Sequence, residues 1–133
     1  MNVLPLTRLP PRVDSASNNS GSGPMTFGLN EEQTAFQETA RDFASAEMAP
    51  YAAEWDAEGI FPVETLRKAA ALGFAGIYVG EAHGGSDLTR MDAALIFEEL
   101  SVACPSTAAF LSIHNMASWM IDSFGNDAQR ARF

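Results

Sequence analysis

The chain has 133 residues, 47% of them hydrophobic and 19% charged, enough for one modest globular core and too apolar for a disordered protein. A formal net charge of -9, with only eight lysines and arginines scattered along the sequence, excludes a nucleic-acid surface and argues against an anionic membrane face. The single cysteine, Cys104, excludes an internal disulfide framework and a cysteine-rich metal site, and its apolar surroundings predict a buried structural thiol.

Residues 1–24 stand apart. They carry Arg8 and Arg12 against Asp14 alone, four prolines, and the polar run from Ser15 to Gly23. Such a composition cannot bury enough apolar surface to offset its ordering entropy, so residues 1–26 read as a disordered leader. The leader is weakly transit-like, with arginines and few acids, but it has no apolar core of a secretory signal. The alternative is a misassigned start, with Met25 as the first residue.

From residue 30 the periodicity is helical, and nothing alternates as a strand. Asn30 followed by Glu31, Glu32 and Gln33 predicts a capped helix start, with the two glutamates complementing the positive helix end. Phe36, Ala40, Phe43 and Ala44 share one face. Pro50 stops or kinks this helix, a looser helical stretch continues from Tyr51 to Ala57, and Gly59 closes it. Pro62 opens a second helix whose apolar side is Val63, Leu66, Ala69 and Ala70, with Glu64, Arg67 and Lys68 in water and Gly73 as its terminator. The segment from Phe74 to Val79 is either extended or a tight helical turn, and a glycine-rich loop follows from Gly80 to Asp87.

A third helix is predicted from about Thr89 to Ala103. Met91, Ala94, Leu95 and Val102 lie on one side and Ala93, Phe97 and Leu100 on another, so that little of it should face solvent. A fourth starts near Ser106 or Thr107, runs to Phe124 and stops at Gly125; its stripe is Phe110, Ile113, Ala117, Met120, Ile121 and Phe124. Pro105 to Ile121 contains no charged residue, yet its serines, Thr107, His114 and Asn115 make it too polar for a membrane span and predict a central bundle helix. Asn126 to Gln129 repeats the capping pattern of Asn30 and opens a fifth helix. The chain stops within about two turns of that start, too short a piece to be stable without packing, which reads as truncation.

Few residues offer chemistry. His83 and His114 lie on different elements without a ligand partner at metal-binding spacing. His114 reads as a hydrogen-bonded core or pocket histidine and His83 as an exposed loop residue. Gly84-Gly85 lacks the lysine and the spacing of a phosphate loop and predicts a tight turn needing positive φ. Glu98 and Glu99 are adjacent on a helix and point about 100° apart, so they cannot act as a paired acid and base; at least one faces the surface or an ion-pair partner. From residues alone the reading is an incomplete all-α bundle.

The order of segments resembles the N-terminal helical domain of acyl-CoA dehydrogenases. The resemblance rests on Leu29 to Gln33 opening a helix, Phe61-Pro62 before the second, Leu72 to Val79 followed by a Glu-x-x-Gly-Gly loop from Glu81 to Gly85, and Phe97 to Ser101. It continues through Ser106-Thr107 leading to Ser112-Ile113-His114-Asn115, and through Phe124 to Gln129. It covers residues 27–133, with departures at Gly80 (usually proline), His83 (usually tyrosine) and Asp87 (often glycine). It implies an FAD-dependent oxidoreductase that removes the α-proton of an acyl-CoA with a glutamate and passes the β-hydride to flavin. Electrons then leave through an electron-transfer flavoprotein, in a homo-oligomeric enzyme of the bacterial cytoplasm or the mitochondrial matrix. The base and the flavin-holding residues are expected beyond Phe133, so no catalytic, metal or cofactor-binding residue is assigned here. Phe110, Leu111 and His114 are expected to line the acyl chain's end, and Phe110 to shorten that pocket toward short or branched acyl groups, as in isobutyryl- and short-branched-chain members. The alternative reading is a free-standing helical module that binds a protein partner.

Overall fold

The computed structural model of the protein describes residues 28–133, and every regular element among them is helical. The expected leader and the question of Met25 lie outside the described residues. Three of the helices begin where free backbone donors find side-chain acceptors. Asn30 Oδ1 accepts from the Gln33 amide at 2.7 Å and Gln33 Oε1 from the Asn30 amide at 3.2 Å, closing a capping box over α1 (Glu31–Glu47). Phe36, Ala40, Phe43 and Ala44 are buried as the spacing predicts.

The stretch after Pro50 is a separate helix rather than a loose continuation. The amides of Tyr51 and Ala52 both donate to Met48 O, at 3.1 and 3.0 Å, which turns the chain before α2 (Ala52–Glu58) starts. Gly59 ends α2 at φ 65°. α3 (Val63–Ala71) follows Pro62, and its buried side differs from the expected one. Thr65 and Ala69 are buried while Val63 and Ala70 are exposed. The helix is rotated onto the end of α1, where Thr65 Oγ1 donates to Glu47 O at 3.5 Å and Lys68 pairs with the Glu47 carboxylate.

Residues 74–79 form neither a strand nor a helix but tight turns, with Gly76 N donating to Gly73 O and Val79 N to Gly76 O. The chain then folds back on itself through a single 3-10 turn at Glu81–His83. Ser86 N donates to Gly76 O at 2.9 Å, Asp87 N to Val79 O at 2.9 Å and Leu88 N to Ile77 O at 2.8 Å. Phe74 and Ile77 drive this segment into the core, where the Phe43 and Phe74 rings meet edge to face with centroids 6.0 Å apart.

α4 (Arg90–Ala103) starts at a second capping box, Thr89 with Asp92, and packs most extensively against α1. Asp92, Ala93, Leu95, Ile96 and Leu100 are buried. Met91, Ala94 and Val102 are exposed, so one side of this helix does face water, contrary to the sequence expectation. Its hydrophobicity is too evenly spread for periodicity to pick the core face. α5 (Pro105–Phe124) begins one residue earlier than expected, with Pro105 at its first position, where no backbone donor is missed. α6 (Asp127–Arg132) is capped by Asn126 with Gln129, as the sequence pattern predicts, and rests on the end of α5. The core therefore lies between α1, α4 and the inner side of α5. Each large side chain buried there, such as Phe36 or Ile96, contributes roughly 1.5–3 kcal/mol.

Candidate functional site

α5 has two unlike sides. Thr107, Ala108, Leu111 and Asn115 face inward and are buried. Most of the expected apolar stripe is on the opposite side: Phe110, Ile113, Ala117, Met120 and Phe124 are exposed, as is Met116, while Ile121 is half-buried. Apart from Leu111, this helix turns small or polar residues to its own domain and most of its large apolar ones outward.

Polar contacts fix its orientation. Asn115, fully buried, accepts from the Ile77 amide at 2.7 Å through Oδ1 and donates through Nδ2 to Phe74 O at 2.7 Å and Leu111 O at 2.9 Å. Two turns further on, Asp122 Oδ2 accepts from the Gly80 amide at 3.2 Å, and its Oδ1 lies 2.7 Å from His83 Nδ1. These bonds, that from Gly80 first, hold the Asp122 carboxyl below the usual aspartate range. His83 is an exposed loop residue, as expected, and its ring hydrogen-bonds to Asp122, which ties the glycine-rich loop to α5.

The three residues expected at the acyl end are not brought onto one surface. Leu111 belongs to the buried core. His114 is exposed, one turn from Ser118, whose Oγ is 3.5 Å from its Nε2, and is not a core histidine. Phe110 is half-exposed and meets Phe61 edge to face, with centroids 4.8 Å apart and planes at 78°. Both rings line a half-open crevice of about 270 Å³ between α2, the α2–α3 linker and the start of α5, with Trp55, Ile60, Leu66, Cys104 and Thr107 among its other walls. Cys104 is buried as expected, its Sγ 3.2 Å from Thr107 Oγ1.

Sequence reasoning missed several partners. Arg90 lies over the Tyr78 ring at 4.1 Å and the Trp119 ring at 5.3 Å, a stacking arrangement with no signature in sequence spacing. Glu99 is the ion-paired member of its adjacent pair: Arg41 Nε and a terminal guanidinium nitrogen donate to its two oxygens at 3.0 and 2.7 Å, which lowers its pKa, while Glu98 is exposed. Among the described residues no group of three or more potential ligands is placed to hold a metal, and no helix is long and apolar enough to cross a membrane. Gly84 is at φ 83°, the expected positive-φ turn, but Gly85 is small because a Cβ there would sit 2.0 Å from Val79 O. The space is taken by the chain's own backbone and leaves no phosphate cradle.

Comparison with known proteins places these helices. Residues 30–133 match the family described as acyl-CoA dehydrogenase, N-terminal domain. The mitochondrial isobutyryl-CoA dehydrogenase of Bos taurus is 54% identical over 107 residues, which are 80% of this chain and 26% of that protein. That of Dictyostelium discoideum is 52% identical over 108 residues, with 81% and 26% covered. The solved structure of butyryl-CoA dehydrogenase from Megasphaera elsdenii superposes with a TM-score of 0.74 at 32% identity, over 82% of this chain and 30% of that one. The chain belongs to the acyl-CoA dehydrogenase family, as its N-terminal helical domain. It spans about a quarter of the length of the curated relatives it matches.

Proposed function

We propose that residues 27–133 serve as the N-terminal helical domain of an FAD-dependent acyl-CoA dehydrogenase that introduces an α,β double bond into a short or branched acyl-CoA. The domain supplies a wall of the acyl pocket; the catalytic base and the flavin-holding groups come from outside these residues. The observation that carries the reading is the outward side of α5, free of charge from Pro105 to Ile121, with the Phe61–Phe110 pair at one end. An uncharged wall suits an acyl chain, and a bulky ring at its end suits a short or branched one. Phe110 and His114 face the substrate in this reading, and Leu111 supports Phe110 from the core side. Electron-transfer flavoprotein is the proposed electron acceptor, and the assembled enzyme is a homo-oligomer. The Bos taurus and Dictyostelium discoideum relatives are mitochondrial by name, which supports a matrix location in a eukaryote; in a bacterium the enzyme is cytoplasmic.

The test is a chimera in which residues 28–133 replace the matching segment of the bovine isobutyryl-CoA dehydrogenase. It should take up flavin and oxidise isobutyryl-CoA in preference to hexanoyl-CoA. In the same chimera, Phe110→Ala should raise kcat/KM for hexanoyl-CoA relative to isobutyryl-CoA by about tenfold or more. A folded, flavin-loaded chimera without activity on any acyl-CoA sinks the reading.

A further inference from the structure

Along the outward side of α5, Phe110, Ile113, Ala117, Met120 and Phe124 are spaced three, four, three and four residues apart, the interval that keeps side chains on one seam between two packed helices. The seam is symmetric in size about Ala117. Phe110 and Phe124 lie seven residues, or about 10 Å, to either side of it, with Ile113 and Met120 between. Each end also has a hollow: the half-open crevice beside Phe110, and a groove of about 320 Å³ lined by Met120, Ile121, Phe124, Gln129 and Phe133 among others. Charge divides the two ends. α5 itself has no charged side chain before Asp122, whose carboxylate is engaged by Gly80 and His83. Beside its start, α2 presents Glu54, Asp56 and Glu58, all exposed and in no ion pair among the described residues, and Asp56 is in the crevice wall. Beside its end, α6 closes with Arg130 and Arg132, and Arg132 is exposed over the Phe133 ring at 5.1 Å.

We propose that this side of α5 is the contact between two copies of the 133-residue chain, packed antiparallel across a two-fold axis at Ala117. A small residue at the crossing lets the helices approach closely, and each copy's Phe124 enters the crevice beside the other's Phe110. Antiparallel pairing sets the acidic α2 end of each copy against the Arg132 end of the other, twice; parallel pairing would set like charge on like. The area suffices. The seven large side chains from Phe61 and Phe110 at one end to Phe124 and Phe133 at the other are 42–77% exposed. At roughly 200 Å² for each when fully exposed, they offer about 800 Å² per copy, the size of a stable interface. A two-fold contact consumes this side on both copies, so assembly stops at two. The pairing belongs to the 133-residue chain and stands apart from the dehydrogenase reading: activity of the chimera neither requires nor excludes it.

Sedimentation equilibrium of the 133-residue chain should give a reversible monomer–dimer equilibrium with nothing larger. Ala117→Glu and Ala117→Arg, each checked as folded by circular dichroism, should each weaken pairing about a hundredfold by setting like charges together at the axis, and an equimolar mixture of the two should pair again. Asp56→Arg and Arg132→Glu should each raise the dissociation constant about fivefold, and the double variant should return it to near the parent's. Both positions are exposed and outside the seam and the core, so they read the orientation even where a change at Ala117 unfolds the helix. A parent that stays monomeric at millimolar concentration, or grows beyond a dimer, overturns the pairing. Folded Ala117 variants that pair as the parent does, or that stay apart when mixed, overturn the axis. A double reversal that pairs no better than either single change overturns the antiparallel orientation.

Discussion

Asn115→Leu keeps the side chain's approximate volume and removes three buried hydrogen bonds at once, leaving the Ile77 N–H and the Phe74 carbonyl without their partner. Each orphaned buried group costs roughly 1–3 kcal/mol, so the variant should lose about 3 kcal/mol or more in urea unfolding, a large share of a small domain's stability. A loss below about 1 kcal/mol would show that water or a backbone shift replaces Asn115. Gly85→Ala tests a steric rather than a polar constraint. A methyl 2.0 Å from Val79 O forces the folded-back segment apart, and the expected cost is at least about 2 kcal/mol by the same measurement. Neither role was legible in the sequence. A lone asparagine on an uncharged helix looks like a concession to solvent, and its backbone partners lie 38 and 41 residues away. Gly85 was legible as obligatory but for the wrong cause: Gly84 takes the positive φ, while Gly85 answers a close backbone approach.

At the scale of elements, the ends of helices were readable and their faces were not. Caps are local: Asn30 with Gln33 and Asn126 with Gln129 act within one turn, so the letters suffice. Which side of α4 or α5 is buried depends on neighbours, and where both sides are uncharged the apolar period gives no preference. α5 shows this most clearly, since its largest apolar residues point away from the core. The attachment of the loop to this helix is testable by pH. The folded-state pKa of Asp122 is depressed, chiefly by the Gly80 N–H and then by His83, so its contribution to stability is present above the ordinary aspartate range and lost as pH falls through the folded value. Asp122→Asn should therefore flatten the acid limb of the urea midpoint against pH and raise hydrogen exchange at the Gly80 amide near neutrality. Glu99, likewise depressed by the Arg41 hydrogen bonds, leaves the variant a residual acid slope. Parallel profiles for parent and variant would mean that the Asp122 bonds do not support the fold.

For the whole molecule, the outward side of α5 is an apolar surface that the domain leaves uncovered: Ile113, Met116, Met120 and Phe124 are each more than half exposed. Patches of this kind associate in water. The 133-residue chain should therefore self-associate or bind a hydrophobic dye, and sedimentation velocity should show Ile113→Lys with Met120→Lys restoring a monomer. Because those side chains are not in the core, the double variant should melt within about 0.5 kcal/mol per site of the parent. A monodisperse parent at high concentration would argue that this face is quieter than its composition suggests. The chain alone should also purify without flavin absorbance, since the proposed flavin-holding groups come from outside these residues. The family could be read from segment order, because that order survives without knowledge of any face. The pairing of Phe61 with Phe110 could not, as it depends on how the α2–α3 linker lies across the start of α5.

The two-sidedness of α5 separates what inheritance must keep from what it is free to vary. Positions 107, 108, 111, 115 and 122 answer to the domain's own architecture. Positions 113, 114, 117 and 120, between them on the same twenty residues, meet no such demand from inside. A lineage can therefore retune the outer set, and with it the shape of whatever is enclosed there, while the domain underneath folds as before.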